Sequence, residues 1–139
     1  MKNFFIILPT IAACVILLSA TCNDKEISLK KGESETRTAN GLKYNITVTD
    51  ILDNRCPKNV KCIRAGEAFV HTSLKVGNTA EQLLQFCTGL DCRRGTIGTT
   101  DTVTTSSGNI EIKLLSVEPY PIQTEMPSSK TAKFAVRKL

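Results

Sequence analysis

Leu42-Lys43-Tyr44-Asn45-Ile46-Thr47-Val48-Thr49 is the stretch that decides how this chain folds. Leu42, Tyr44, Ile46 and Val48 alternate one for one with Lys43, Asn45, Thr47 and Thr49. A two-residue period places all four apolar side chains on one face, which is the pattern of a half-buried β-strand. Asn40-Gly41 before it is a turn pair. Ile51-Leu52 breaks the alternation, as a bulge or a strand end would.

The same period recurs on either side. Ala68, Val70, Thr72, Leu74 and Val76 face one way; Glu67, Phe69, His71, Ser73 and Lys75 face the other. Gly77-Asn78 closes that run. Ile110, Ile112 and Leu114 alternate with Glu111 and Lys113, and the strand runs on to Val117. Ala132, Phe134 and Val136 alternate with Lys133, Ala135 and Arg137 in a last strand. Weaker signals predict edge strands at Ile27–Leu29 and 33–38 and a short strand over Leu83–Phe86 running into Cys87. Two more are predicted around Ile97 and Val103, with a turn at Ser107-Gly108-Asn109. Residues 53–66 form an irregular loop, and 119–130, with Pro119, Pro121 and Pro127, form a connection. Thr79–Leu84 is too short for a convincing helix. About seven or eight short antiparallel strands, spaced by turn signals, predict a single all-β domain, a β-sandwich or barrel. Its expected core is Leu42, Tyr44, Ile46, Val48, Val70, Leu74, Ile110, Ile112, Leu114, Phe134 and Val136.

The N-terminus carries an address. Met1-Lys2-Asn3 is a short positive start, and Phe4 to Ala20 contains no charged residue. Leu18-Ser19-Ala20-Thr21-Cys22 then gives way to polar Asn23-Asp24-Lys25-Glu26. Such an arrangement is an export signal with a cysteine at its cleavage point. The segment resembles a bacterial lipoprotein signal peptide, in which the cysteine becomes the acylated first residue. The acidic tract after it resembles surface-exposed lipoproteins of the Bacteroidetes type. The resemblance implies a signal peptide over 1–21, a lipidated tether over 22–27 and a β domain over 28–139. It also implies attachment to the cell envelope, on an outer membrane, through lipid on Cys22. Two alternatives stay open: a secreted form cut near Ala20, and an uncleaved anchor that Pro9 would interrupt.

Export places the domain in an oxidising compartment, where disulfides form. Of the six cysteines, Cys14 leaves with the signal and Cys22 takes the lipid. Cys56, Cys62, Cys87 and Cys92 remain to pair. The local pairs 56–62 and 87–92 are favoured. The crossed sets, 56–87 with 62–92 or 56–92 with 62–87, would instead join the two loops.

The most distinctive string is Asp53-Asn54-Arg55-Cys56-Pro57-Lys58-Asn59-Val60-Lys61-Cys62-Ile63-Arg64-Ala65-Gly66-Glu67-Ala68. It resembles an Asp-Ser-Arg-Cys-Pro-x-x-Val-x-Cys-x-Trp-Ala-Gly-x-Ala segment found in small exported bacterial lipoproteins of uncharacterised function. Leu114-Leu115-Ser116-Val117-Glu118-Pro119-Tyr120-Pro121 resembles their C-terminal part. Asn54 stands where Ser is usual and Arg64 where Trp is usual. The resemblance implies a β-rich exported domain and brings no activity with it.

Arg55, Lys58, Lys61 and Arg64 crowd into ten residues of that string. Pro57 and the neighbouring cysteines would stiffen the loop. It is either a basic recognition loop for an acidic protein or glycan, or a solvated strand connection. Arg93-Arg94 would extend the patch only if both cysteine loops share one end of the domain. Eighteen basic against 13 acidic residues give a net charge of +5. That modest excess is spread along the chain and gives no sign of a nucleic-acid partner, and with no Trp and two Tyr stacking platforms are scarce. The cysteine spacings are not those of a zinc knuckle. His71 is the single histidine, and no G-x-S-x-G elbow or glycine-rich phosphate loop occurs. Asp50 and Asp53 are close enough in sequence to be weighed as a carboxylate pair. The reading is therefore non-enzymatic, without cofactor or metal. It is a lipid-anchored binding or structural accessory domain, with a small disulfide-braced protease inhibitor as the alternative.

Overall fold

The alternating runs build two four-stranded antiparallel sheets. The computed structural model describes residues 26–123 and 129–139; the export segment and Cys22 lie outside the described residues. The strands are β1 (Ile27–Lys30), β2 (Ser34–Ala39), β3 (Leu42–Asp53), β4 (Glu67–Val76), β5 (Gln82–Gly89), β6 (Thr100–Thr105), β7 (Gly108–Glu118) and β8 (Thr131–Lys138). One sheet has the order β2-β3-β4-β5, a plain meander; the other has the order β1-β8-β7-β6. The fold is all-β as expected, and of the two architectures left open, sandwich or barrel, two separate four-stranded sheets make it the sandwich. β1 and β2 are sheet edges, as their weak patterns implied. Only one short 3-10 turn, Asp91–Arg94, interrupts the all-β character of the described residues.

The core lies between the sheets. Ten of the eleven expected core residues are buried, from Tyr44 and Ile46 on β3 to Phe134 and Val136 on β8. Leu42, at the start of β3, is half-buried and packs against the core. Ile27, Leu29, Ala68, Val76, Phe86, Val103, Val117 and Ala132 complete it. Phe86 from one sheet meets Phe134 from the other edge-on, with ring centres 5.7 Å apart at 67°. Such a pair adds about 0.5–1.5 kcal/mol beyond the area it buries.

Two bulges change which residues face inward. β3 shifts register between Val48 and Asp50, and β7 between Leu114 and Ser116. Each extra residue reverses the parity of the strand beyond it. On β3 the inward set therefore passes from Tyr44, Ile46 and Val48 to Ile51 and Asp53. On β7 it passes from Ile110, Ile112 and Leu114 to Val117, while Leu115 is left outside. The break in β3 falls at Thr49, just before Ile51-Leu52. Ile97 lies in a loop, and the strand expected there is absent; β6 begins at Thr100, beyond Gly98. The turn before β7 is at Ser106-Ser107, and Gly108 already belongs to the strand.

Candidate functional site

Cys56 is bonded to Cys62 and Cys87 to Cys92. The crossed pairings are thereby excluded. The first disulfide loop follows β3 and the second follows β5; β3, β4 and β5 are adjacent and antiparallel, so both loops leave the same end of the sandwich. Asp91 ties them together. Its carboxylate, 8% exposed, accepts a hydrogen bond from the Gly66 amide at 2.8 Å, and Arg64 Nε lies 3.5 Å from the same oxygen.

Two glycines let the backbones close up. Gly66 sits at φ +76°, and a Cβ there would fall 2.1 Å from the Asn54 carbonyl oxygen. A Cβ on Gly89, at φ +127°, would fall 2.7 Å from the Gly66 carbonyl oxygen. Neither conformation nor spacing admits a side chain.

Beneath the loops lies a buried charge cluster. The β3 bulge turns Asp53 inward, where its side chain is 4% exposed. Arg55 Nε and Nη2 grip the two carboxylate oxygens at 2.7 and 2.8 Å. Nη2 also donates to the Val117 carbonyl at 2.7 Å, the carbonyl just past the β7 bulge. Lys130 Nζ completes the set, 2.9 Å from Asp53 and 2.6 Å from the Pro119 carbonyl. Burial alone would raise the Asp53 pKa. The hydrogen bonds from Arg55 and Lys130, with the Arg55 charge, outweigh burial and hold it below the ordinary aspartate value. The Arg55 guanidinium stacks on the Tyr120 ring at 4.3 Å, and Lys58 Nζ lies 5.2 Å from the same ring centre. The Lys58 amide donates to Pro121, and Asn59 accepts from the Gln123 amide.

Of the four basic residues singled out in the loop, Arg55 is therefore internal, with its side chain 8% exposed. Lys58, Lys61 and Arg64 are exposed. Between the last two stands Ile63, fully exposed at the tip. The chain bends at Ile63 and Arg64. Arg93 and Arg94 belong to the 3-10 turn of the second loop, so their backbone shares this end. Asp50 and Asp53 do not form a pair. Asp50 faces outward to Lys31 at 2.7 Å, whose hydrogen bond lowers its pKa. His71 is half-buried on the outer sheet face, 3.4 Å from Gln85 Nε2.

Between the loops runs a cleft of about 630 Å³. Arg55 and Tyr120 line it beside Gly66, Gly89, Gly98 and Leu90. Leu90 is 62% exposed. The residues that sequence reasoning passes over here are Tyr120, Lys130, Asp91 and Leu90. Only Tyr120 carried a signal, from its place in Pro119-Tyr120-Pro121. No protein-family model matches the chain, and no curated protein or solved structure is significantly similar to it.

Proposed function

We propose that this protein is an extracytoplasmic binding domain, fixed to the cell envelope by lipid on Cys22, that presents its disulfide-braced end to a partner. One observation carries the reading: two covalently closed loops meet at a single end, with Lys58, Lys61, Ile63, Arg64 and Leu90 exposed on it. Loops held on a rigid scaffold are where binding residues concentrate. The disulfides themselves favour an oxidising compartment outside the cytoplasm. β1 pairs antiparallel with β8, from Ile27 opposite Phe134 to Lys30 opposite Thr131, and so runs toward the disulfide end. An anchor ahead of β1 would leave that end pointing away from the bilayer.

The inhibitor alternative draws on the same exposed tip. The bend at Ile63 and Arg64 counts against it, because a substrate-like inhibitor loop would be extended there. Fatty-acid labelling of the wild type and of Cys22→Ser tests the anchor; equal labelling of both overturns it. Cross-linking in the native envelope tests the binding end. The wild type should give a discrete adduct that Lys58→Glu/Lys61→Glu/Arg64→Glu loses, and an unchanged adduct would place binding elsewhere.

A further inference from the structure

The cleft has a chemistry of its own. Arg55 spends Nε and Nη2 on Asp53 and Val117. Nη1 has no acceptor among the described residues, and Arg55 lines the cleft. One guanidinium nitrogen is thus left to donate to a ligand carboxylate, and Asp53 and Val117 already hold the group in place. Lys58, over Tyr120, adds positive charge at the rim, while Arg64 faces Asp91. Asp53 and Asp91, the carboxylates beneath and beside the cleft, are both engaged internally. The walls are glycine backbones, so a main chain can approach closely.

We propose that this cleft binds an acidic peptide segment of a protein partner, with a carboxylate against Arg55 Nη1 and an apolar neighbour against Leu90. The inference rests on the disulfide end being the binding end and names what that end takes. A peptide fits better than an acidic glycan. The Tyr120 ring already has two cations over it, which leaves little aromatic face for a sugar. Exposed Leu90, on the cleft wall, has apolar surface that a peptide side chain can cover and an acidic sugar cannot.

Nuclear magnetic resonance tests this directly, because Gly66, Gly89 and Gly98 amides are separate reporters of the cleft walls. The oxidised domain is titrated to millimolar concentration with acetyl-Gly-Asp-Leu-Glu-Gly-amide. The neutral control is acetyl-Gly-Asn-Leu-Gln-Gly-amide, and a further arm uses digalacturonate. The expected result is saturable shifts of those glycines and of the Tyr120 ring with the acidic peptide alone. The exposed variant Lys58→Glu, with the glycine amides of the free domain at their wild-type positions, should bind about tenfold more weakly. No saturable shift overturns the proposal, as do equal shifts with the neutral peptide or shifts with digalacturonate only. Loss of the envelope adduct alongside a silent titration would leave the binding end standing and remove only its acidic-peptide specificity.

Discussion

Arg55 lies 4.3 Å above the ring of Tyr120, and that contact joins the two most distinctive stretches of the sequence. Asp53-Asn54-Arg55-Cys56-Pro57 and Pro119-Tyr120-Pro121 are far apart in the chain. They meet at one end of the sandwich because β3 and β7 both end there. Arg55 is a strut between the two sheets before it is anything else. Its charge is neutralised by Asp53, its plane rests on Tyr120, and one nitrogen remains for the cleft.

Replacing Asp53 with Asn should be costly. Arg55 and Lys130 would lose the one anionic partner they have among the described residues. Breaking a buried pair on one side costs about 3–5 kcal/mol, a large part of the ~5–15 kcal/mol that holds such a domain together. Urea unfolding at pH 7 measures it; a loss below about 1 kcal/mol would contradict the buried cluster.

The same cluster sets an acid dependence. Asp53 titrates lower when folded than its ordinary value of 3.8. The unfolded chain therefore binds the proton first as pH falls. Stability from this group is complete above that ordinary value and is lost as pH falls through the folded one. The wild type should lose melting temperature between pH 5 and pH 2 more steeply than Asp53→Asn. Parallel curves for the two proteins would show that Asp53 does not carry the effect.

Thr72 offers a gain instead. Its side chain points into the core, 1% exposed, and its hydroxyl has no hydrogen-bond partner among the described residues. A buried hydroxyl without a partner costs about 1–3 kcal/mol. Thr72→Val keeps the shape and should stabilise the domain by about 1 kcal/mol. A destabilised variant would mean that the hydroxyl is satisfied in solution.

Gly66→Ala should be far worse than Gly32→Ala. Both glycines have positive φ, but a Cβ at Gly32 meets nothing within 4 Å, whereas at Gly66 it meets backbone at 2.1 Å. The expected losses are about 1 kcal/mol for Gly32 and on the order of 3 kcal/mol or more for Gly66. Equal thermal shifts would argue against the close approach of the Asn54 and Gly66 backbones.

Much of this fold was legible because most of its strands keep a strict period of two. The core on β3, β4, β7 and β8 comes directly from that period. The features that escaped depend on partners distant in sequence. Ile51-Leu52 marks the break in β3, but nothing local marks the bulge at Leu115, and no local pattern says that Asp53 and Val117 turn inward. Arg55 looked like one more cation in a basic loop, since its burial is created by Asp53, Tyr120 and Val117 together. Ile97 has strand chemistry, yet Gly95 and Gly98 on either side of it leave it in a loop. Val103 and Phe86 lie in short strands whose own alternation is weak, and their burial comes from the opposite sheet.

The most direct measurement is non-reducing peptide mapping of the protein recovered from its native cell envelope. The predicted result is Cys56 linked to Cys62, Cys87 linked to Cys92, and an acylated Cys22 at the mature start. Crossed linkages, or four free thiols in a chain still beginning at Met1, would contradict it.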